Sequence, residues 1–180
     1  MNLPVRPYID LDLGYVSKSW VNSMRKEYPF HKMSRTAIDK YAERVRALVN
    51  VTNVLVATDP EDPATLYGFI CYENTPFLGR HTPTLHYVCV ANAFRKMGIA
   101  TSLFNSAFRI REYRMHYTHI TRSLKNAGLE KKWNLSDYDP YLIEGALFRE
   151  SRDIDLRAVY ANKIPGQGCY VGRAGGSPST

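Results

Sequence analysis

The stretch from Leu85 to Phe108 contains the residues best suited to bind an anionic ligand. It reads LHYVCVANAFRKMGIATSLFNSAF, a strand pattern that ends at Val90 and a helix pattern that opens around Gly98. The first N–H groups of a helix have no partner within the helix, and the helix dipole adds partial positive charge, so phosphate oxygens are stabilised there. Gly98 has no Cβ and lets a bulky diphosphate approach the backbone, while Arg95 and Lys96 add positive charge. An ordinary strand-to-helix turn is the alternative interpretation.

Two side chains near this stretch are suited to moving a proton. His86 lies on the strand that ends at Val90, and histidine takes up a proton near neutral pH. By the two-residue alternation of a strand, His86 is expected to share a face with Val88 and Val90. Glu73, at the end of the preceding strand, is the alternative base and would act through a water molecule. A lone histidine in a strand is more often structural than catalytic, so both interpretations stay open.

The elements that must position these residues follow from apolar periodicity and turn residues. Ser17 or Ser19 is expected to cap a helix that runs to about Tyr28 and stops at Pro29, and Ser34 is expected to cap a second helix. A segment rich in β-branched residues over 53–58 and a second strand-like segment over 66–73 flank the turn at 59–63 and predict a hairpin. After a short strand near the start, the expected elements are helices to 28 and over 34–49, strands over 53–58, 66–73 and 84–90, a helix over 98–110 and a strand over 116–121. Weaker patterns predict helices over 124–133 and 137–147 and a strand over 157–161.

Residues 85–108 resemble motif A of the GCN5-related N-acetyltransferases (GNAT). In that motif a valine and an aromatic residue precede Arg/Gln-x-x-Gly-x-Gly/Ala. The matching residues are Val90, Phe94, Arg95, Gly98, Ile99 and Ala100, with Leu103 following on the helix. The preceding helices and hairpin occur in the same order in that family. The resemblance implies an α/β fold, with a GNAT-like central mixed, mostly antiparallel sheet flanked by helices, as one domain over 1–171 followed by a flexible tail over 172–180.

The resemblance also implies a function, transfer of an acetyl group from acetyl-CoA to a primary amine of unknown identity. The backbone amides expected to bind the pyrophosphate are those of Arg95, Lys96, Met97, Gly98, Ile99, Ala100 and Thr101. The strand residues expected to hydrogen-bond the pantetheine arm are Val88, Cys89 and Val90. Arylalkylamine N-acetyltransferases have a histidine at the place of His86, whereas many other members use a glutamate one residue earlier, where this chain has Leu85.

The chain departs from the family pattern after the motif-A helix. The later aromatic and Gly-Phe signature is absent, and residues 125–129 retain only a remnant of it. In that family a tyrosine in this region serves as the general acid. No motif marks this tyrosine here, and Tyr138 and Tyr141 are the nearest candidates. This departure keeps a second function open, a catalytically degenerate GNAT-fold protein that binds nucleic acid or a protein partner, or a relative that modifies a nucleobase. On the first helix, Trp20 with Arg25 could line an acceptor pocket, although a core position is the better prediction for Trp20.

The whole-chain composition is that of an ordinary globular domain. Its 180 residues are 44% hydrophobic and 23% charged, and no apolar run approaches the length of about 20 residues that a membrane-spanning helix needs. Three separated cysteines, Cys71, Cys89 and Cys169, form neither a disulfide framework nor a zinc motif and, with no secretory signal pattern at the start, predict a reducing cytoplasm. The net charge of +7 favours an anionic partner. A coenzyme with several phosphates satisfies it, nucleic acid is the less favoured partner, and a homodimer is left open.

Overall fold

The computed structural model describes residues 3–27, 30–73, 76–77, 80–81, 83–108, 114–119, 121–126, 128 and 132–140. Its elements in chain order are β1 (Val5–Pro7), α1 (Leu13–Met24), α2 (Arg35–Val51), β2 (Asn53–Thr58), β3 (Leu66–Glu73), β4 (Pro76–Phe77), β5 (Arg80–His81), β6 (Thr84–Val90), α3 (Ile99–Ala107), β7 (Met115–Tyr117), α4 (Arg122–Asn126) and β8 (Leu135–Tyr138). Several predictions lie outside the described residues, namely those for Tyr28, Pro29, Tyr141, Cys169, the helix beyond residue 140, the strand over 157–161 and the tail over 172–180.

Six of these strands form one mixed sheet. Their order is β1-β2-β3-β6-β7-β8, while β4 and β5 form a separate two-stranded antiparallel pair. The neighbours from β1 to β6 are antiparallel, and the β6–β7 and β7–β8 pairs are parallel. The predicted mostly antiparallel mixed sheet is thereby confirmed, and the sheet changes direction at β6.

Helices cover both faces of this sheet. On one face α1 and α2 form a core in which Trp20 packs near Phe69 of β3, with ring centroids 6.3 Å apart. On the other face α3 buries Leu103 and Phe104, and Trp133 stacks on Phe104 with ring centroids 4.8 Å apart. Among the described residues, no helix is both long and apolar enough to cross a membrane.

Local interactions explain the elements that the sequence predicted well. Ser34 caps α2, because its hydroxyl accepts a hydrogen bond from the Ala37 N–H at 3.3 Å. The Asp59 carboxylate accepts the Glu61 N–H at 2.7 Å, which fixes the turn between β2 and β3. A short polar side chain that bonds the backbone two residues on is a typical turn former.

The first helix begins earlier than predicted. Ser17 and Ser19 lie inside α1, which starts at Leu13, and the Ser17 hydroxyl donates to the Leu13 carbonyl at 2.6 Å instead of capping the helix. The chain enters α1 through a 3-10 turn at Asp10–Asp12. Asp12 accepts the Ile9 N–H at 2.9 Å and pairs with both guanidinium nitrogens of Arg6 at 2.7 and 3.0 Å. A tertiary ion pair therefore sets the start of the helix, and a serine does not.

The structure also corrects the predictions near the end of the described chain. The predicted helix over 124–133 is interrupted: α4 ends at Asn126, and Gly128 has a left-handed φ of +62°. Lys132 is helical again, and its N–H donates to the Gly128 carbonyl at 3.1 Å. Residues 137–138 were predicted to be helical but belong to β8, which finds backbone partners on β7. A short segment with a weak helical pattern takes the conformation that gives its peptide groups hydrogen bonds.

Candidate functional site

Strands β6 and β7 run together only briefly. Thr84 pairs with His116 and Leu85 with Tyr117, and the Thr118 N–H donates to the Leu85 carbonyl at 3.1 Å. Strand β6 then continues to Val90, paired with β3 on its other side. The last part of β6 is therefore an open edge on the β7 side, among the described residues.

The open edge presents backbone groups of alternate residues. The Ala91 N–H donates to the Tyr67 carbonyl of β3 at 2.8 Å. Because strand residues alternate, Cys89 directs its N–H and carbonyl toward β3, whereas Val88 and Val90 direct theirs to the open edge. The Arg95 Nε also donates to the Val90 carbonyl at 3.3 Å, so this cation lies at the end of the edge.

A bulge interrupts β6 just before the open edge. Cys71 of β3 pairs with Tyr87 and the next residue pairs with Leu85, which leaves His86 as the extra residue. Leu85, not His86, packs in the same core cluster as Val88 and Val90. The predicted shared face of His86, Val88 and Val90 is therefore wrong, since the bulge breaks the two-residue alternation.

His86 contacts the other base candidate directly. Its Nε2 lies 3.0 Å from the Glu73 Oε1, and the two residues are only 1% and 6% exposed. The His86 Nδ1 lies 3.3 Å from the Thr118 hydroxyl. Since an ionised carboxylate only accepts, the imidazole donates from Nε2 to Glu73. The two predicted alternatives thus form one buried pair.

His119 is a buried histidine that the sequence did not single out. Its Nδ1 lies 2.9 Å from the His86 carbonyl oxygen and its Nε2 lies 3.0 Å from the Tyr41 hydroxyl. Burial lowers the pKa of His119 from its ordinary value of 6.5 to about 4, against the opposing effect of the hydrogen bond to the His86 backbone. Its Nδ1 also lies 2.9 Å from the hydroxyl of the neighbouring Thr118. Because Tyr41 and His86 are far away in the sequence, only the histidine itself, near the end of a predicted strand, could have signalled this position.

The turn after β6 has the backbone that the glycine predicted. Lys96 and Gly98 have left-handed φ values of +67° and +81°, and Gly98 is the N-cap of α3. The Ser102 N–H makes the first helical bond, to the Gly98 carbonyl at 3.0 Å. The preceding N–H groups of Ile99, Ala100 and Thr101 therefore have no helical partner. A Cβ at Gly98 would meet no protein atom within 4 Å, so open space lies beside the turn.

A third cation lies beside this helix start. The Lys132 Nζ donates to the Thr101 hydroxyl in the first turn of α3 at 3.1 Å. Lys132 comes 31 positions later in the chain. In the sequence it belongs to a cluster of basic residues for which solvated surface is the default interpretation and nucleic-acid binding the minority one. Together with Arg95 and Lys96, it surrounds the free amide groups with positive charge.

The tyrosine candidates are less well placed. Tyr138 lies on β8, two strands from β6, which corresponds to about 10 Å. Its ring contacts Tyr117 with centroids 5.6 Å apart, and it is 49% exposed. The structure thus does not bring Tyr138 into contact with Glu73 or His86, and Tyr141 lies outside the described residues.

The predicted core position of Trp20 is confirmed. Trp20 is fully buried and stacks on Tyr87 with ring centroids 4.5 Å apart. Arg25, by contrast, lies on the rim of an open cavity of about 460 Å³ between the end of α1 and the start of α2. The residues that line this cavity are Arg25, Met33, Arg35, Ile38 and Asp39.

The strand order, the parallel β6–β7 pair and the helix that starts beside the open edge define the GNAT acetyltransferase fold. A putative acetyltransferase from Pyrococcus furiosus has this fold with a TM-score of 0.56 at 12% identity, over 76% of this chain and 95% of that one. A possible acetyltransferase from Clostridium difficile 630 gives 0.54 at 19% identity, over 77% and 93%. A ribosomal-protein-alanine N-acetyltransferase from Brucella melitensis gives 0.51 at 15% identity, over 74% and 92%. Neither a family profile nor a curated protein matches the sequence. At these identities the likeness establishes the fold, as the motif-A resemblance predicted.

Proposed function

We propose that the protein is an N-acyltransferase that transfers an acetyl group from acetyl-CoA to a primary amine. The observation that carries the proposal is the open edge of β6 next to the free amide groups at the start of α3. An edge whose N–H and carbonyl groups have no strand partner among the described residues suits the amides of a pantetheine arm, and a helix start suits a diphosphate. One coenzyme molecule has both chemical features.

In this proposal the pantetheine arm pairs with the Val88 and Val90 peptide groups, with Cys89 between them. The pyrophosphate binds to the backbone over residues 95–101, where Arg95, Lys96 and Lys132 supply positive charge. The thioester then lies toward the bulge, near the buried pair of Glu73 and His86. The acyl group and the proton acceptor would therefore meet at one end of the open edge.

The proposed reaction is a direct attack of the amine on the thioester. The amine nitrogen forms a bond to the carbonyl carbon, the C–S bond breaks, and the coenzyme leaves as a thiolate. Glu73, paired with His86, accepts the amine proton through a water molecule. Tyr138 and Tyr141 stay the candidate acids that return a proton to the thiolate.

Coenzyme binding is tested by thermal stability with and without acetyl-CoA. A ligand at 100 times its dissociation constant adds about 2.7 kcal/mol to the free energy of unfolding. Gly98→Leu is expected to abolish this gain, because a side chain would occupy the space beside the turn. Gly128→Leu is the matched control, since Gly128 also has a left-handed φ and no atom within 4 Å of an added Cβ. Each substitution should destabilise the free protein by about 1–2 kcal/mol, but only the first should remove the ligand effect.

Turnover is then tested by release of free coenzyme A thiol with a panel of amines. No stabilisation of the wild type by acetyl-CoA or by longer acyl-CoA molecules would refute the proposed function. Loss of the ligand effect in both glycine variants would show that the coenzyme does not bind at the turn.

One observation favours a second candidate, a protein that binds acyl-CoA without turnover. Both nitrogens of His86 have protein partners, and Glu73 and His86 are almost completely buried. In this second candidate, the pair of Glu73 and His86 stabilises the bulge and takes no part in proton transfer. Clear stabilisation by acetyl-CoA together with no thiol release from any amine would select this candidate.

A further inference from the structure

The end of β7 is joined to β6 by side chains where a backbone ladder would continue. After the Thr118 N–H has bonded Leu85, the next β6 carbonyl, that of His86, accepts the His119 Nδ1–H at 2.9 Å. The Thr118 hydroxyl lies 3.3 Å from the same carbonyl. The imidazole therefore takes the place that a peptide N–H would occupy in a continuing strand pair.

The partners of His119 fix its tautomer. The His119 Nδ1 lies 2.9 Å from the His86 carbonyl oxygen and 2.9 Å from the Thr118 hydroxyl oxygen. A carbonyl oxygen only accepts, whereas a hydroxyl oxygen can accept or donate, so Nδ1 must carry the hydrogen and Nε2 must be the acceptor. The Tyr41 hydroxyl then donates to Nε2 at 3.0 Å, and the Trp20 Nε1–H donates to the Tyr41 oxygen at 3.0 Å. A continuous chain of hydrogen bonds runs from α1 through α2 to the bulge of β6.

Packing holds this chain in place. His119 is 8% exposed, and its ring makes edge contacts with Trp20 and Tyr87 at centroid distances of 5.3 and 5.5 Å. Burial also keeps the imidazole neutral at physiological pH, because it lowers the pKa of His119 to about 4. A protonated ring would have no lone pair on Nε2 to accept the Tyr41 hydroxyl.

We propose that His119 is a positioning residue that ends the β6–β7 pairing and holds the His86 peptide. Because the imidazole, and not a backbone N–H of β7, bonds the His86 carbonyl, the backbone ladder between the two strands ends at Leu85. The Val88–Val90 edge thereby stays open for the pantetheine arm. The role rests on the proposed acyl-CoA site. In this role, the N–H of the His119 imidazole keeps that site open.

Two substitutions of His119 separate the contacts of its Nδ1 from the contact of its Nε2. The amide nitrogen of Asn lies where Nδ1 lies, so His119→Asn retains a donor for the His86 carbonyl and loses Tyr41. The amide of Gln reaches the place of Nε2, so His119→Gln retains the Tyr41 contact and removes the imidazole donor of the His86 carbonyl. Among the described residues, that carbonyl then keeps only the more distant Thr118 hydroxyl, at 3.3 Å. Tyr41→Phe removes only the distal bond and serves as the third variant.

We expect His119→Gln to raise the KM and the dissociation constant for acetyl-CoA about tenfold, with a smaller change in kcat. His119→Asn and Tyr41→Phe should bind acetyl-CoA within about twofold of the wild type. Equal affinities in the Asn and Gln variants, both folded by circular dichroism, would overturn the role of His119. Wild-type protein that binds no acyl-CoA would instead refute the proposed function on which the role rests.

A spectroscopic measurement keeps the inference testable if a variant fails to fold. The ¹⁵N chemical shifts of the His119 side chain in the wild-type protein report which nitrogen carries the hydrogen. A neutral ring protonated at Nδ1 is expected. A neutral ring protonated at Nε2 would remove the bond to the His86 carbonyl and overturn the inference, whether or not the protein binds acyl-CoA.

Discussion

Glu73 and His86 each depend on the other for a buried hydrogen-bond partner. Their side chains are joined at 3.0 Å in a region closed to solvent. Removal of one partner leaves the other as an unsatisfied buried polar group, which costs about 1–3 kcal/mol. An informative substitution must therefore retain the hydrogen bond and remove only the ability to take a proton.

Glu73→Gln meets that condition. The amide oxygen of glutamine still accepts the His86 Nε2–H, but it cannot serve as a base. We expect turnover with an amine to fall by about 10²–10⁴-fold, while acetyl-CoA binds as before. Steady-state kinetics and ligand-dependent thermal stability measure the two effects. The exposed Glu61→Gln, in the turn between β2 and β3, is the control, and turnover of Glu73→Gln within twofold of the wild type would place the base elsewhere.

The pH dependence of stability is a second prediction at this scale. Above pH 6.5 His119 is neutral in both the folded and the unfolded chain and contributes nothing. As the pH falls from 6.5 to about 4, the unfolded chain binds a proton and the folded chain does not, so the free energy of unfolding decreases. The decrease at pH 4 is about 3 kcal/mol at 1.36 kcal/mol per pH unit.

Denaturant titrations of the wild type and His119→Asn at pH 7, 5.5 and 4 check this prediction. The variant lacks the titrating group, so its stability should decrease less steeply on acidification. Parallel pH dependences of the two proteins would contradict the buried neutral histidine.

At the scale of the elements, the bounds of three strands were predictable and the bulge was not. Strands β2, β3 and β6 begin and end where the sequence predicted, because turn residues bound each of them, whereas β7 ends at Tyr117 and not at the predicted residue 121. A bulge depends on the register with a neighbouring strand, and the pattern of β6 alone contains no sign of it. The same reason hid His119, whose partners Tyr41 and His86 lie 78 and 33 positions away.

The backbone of the turn before α3 was predictable from sequence because its requirements are local. A left-handed φ at the start of α3 favours glycine whatever the rest of the chain does. Lys132 was not predictable as part of this site, since its contact with Thr101 depends on how the later segment folds back.

Two glycines should respond in opposite ways to the same substitution. A Cβ on Gly68 of β3 would lie 2.6 Å from the Cys89 carbonyl oxygen of β6, whereas a Cβ on Gly14 of α1 meets nothing within 4 Å. We expect Gly68→Ala to destabilise the protein by about 1–3 kcal/mol through overpacking. Gly14→Ala should stabilise it by about 0.4–1 kcal/mol, because it reduces the entropy of the unfolded chain.

Chemical denaturation measures both glycine effects. Because the clash would push β6 away from β3, Gly68→Ala should also weaken acetyl-CoA binding. A Gly68→Ala protein as stable as the wild type would show that β3 and β6 leave room for a Cβ beside the Cys89 carbonyl oxygen.

At the scale of the whole molecule, the net charge of +7 should govern how the coenzyme binds. Electrostatic attraction to exposed cations is screened over about 10 Å at 0.1 M salt. We therefore expect the affinity for acetyl-CoA to decrease as the salt concentration rises. Calorimetric titrations at several salt concentrations measure the slope.

Lys132→Ala should weaken acetyl-CoA binding about twofold, in line with about 0.2–1 kcal/mol for an exposed pair, and should reduce the salt dependence. Lys18→Ala removes the same charge from α1, on the opposite face of the sheet, and is expected to leave both quantities unchanged. Equal effects of the two substitutions would show that only net charge matters and that Lys132 has no local role.

The change of strand direction at β6 also has a consequence for how the chain folds. Thr58 and Leu66 of the antiparallel hairpin pair across eight positions, whereas His86 and Thr118, where the parallel pair ends, are 32 positions apart. Contacts between distant residues form later, since a longer loop must close first. A refolding chain is thus expected to complete the hairpin before β7 docks on β6. If acetyl-CoA binds at the proposed site only after both strands are in place, it should slow unfolding more than it accelerates refolding.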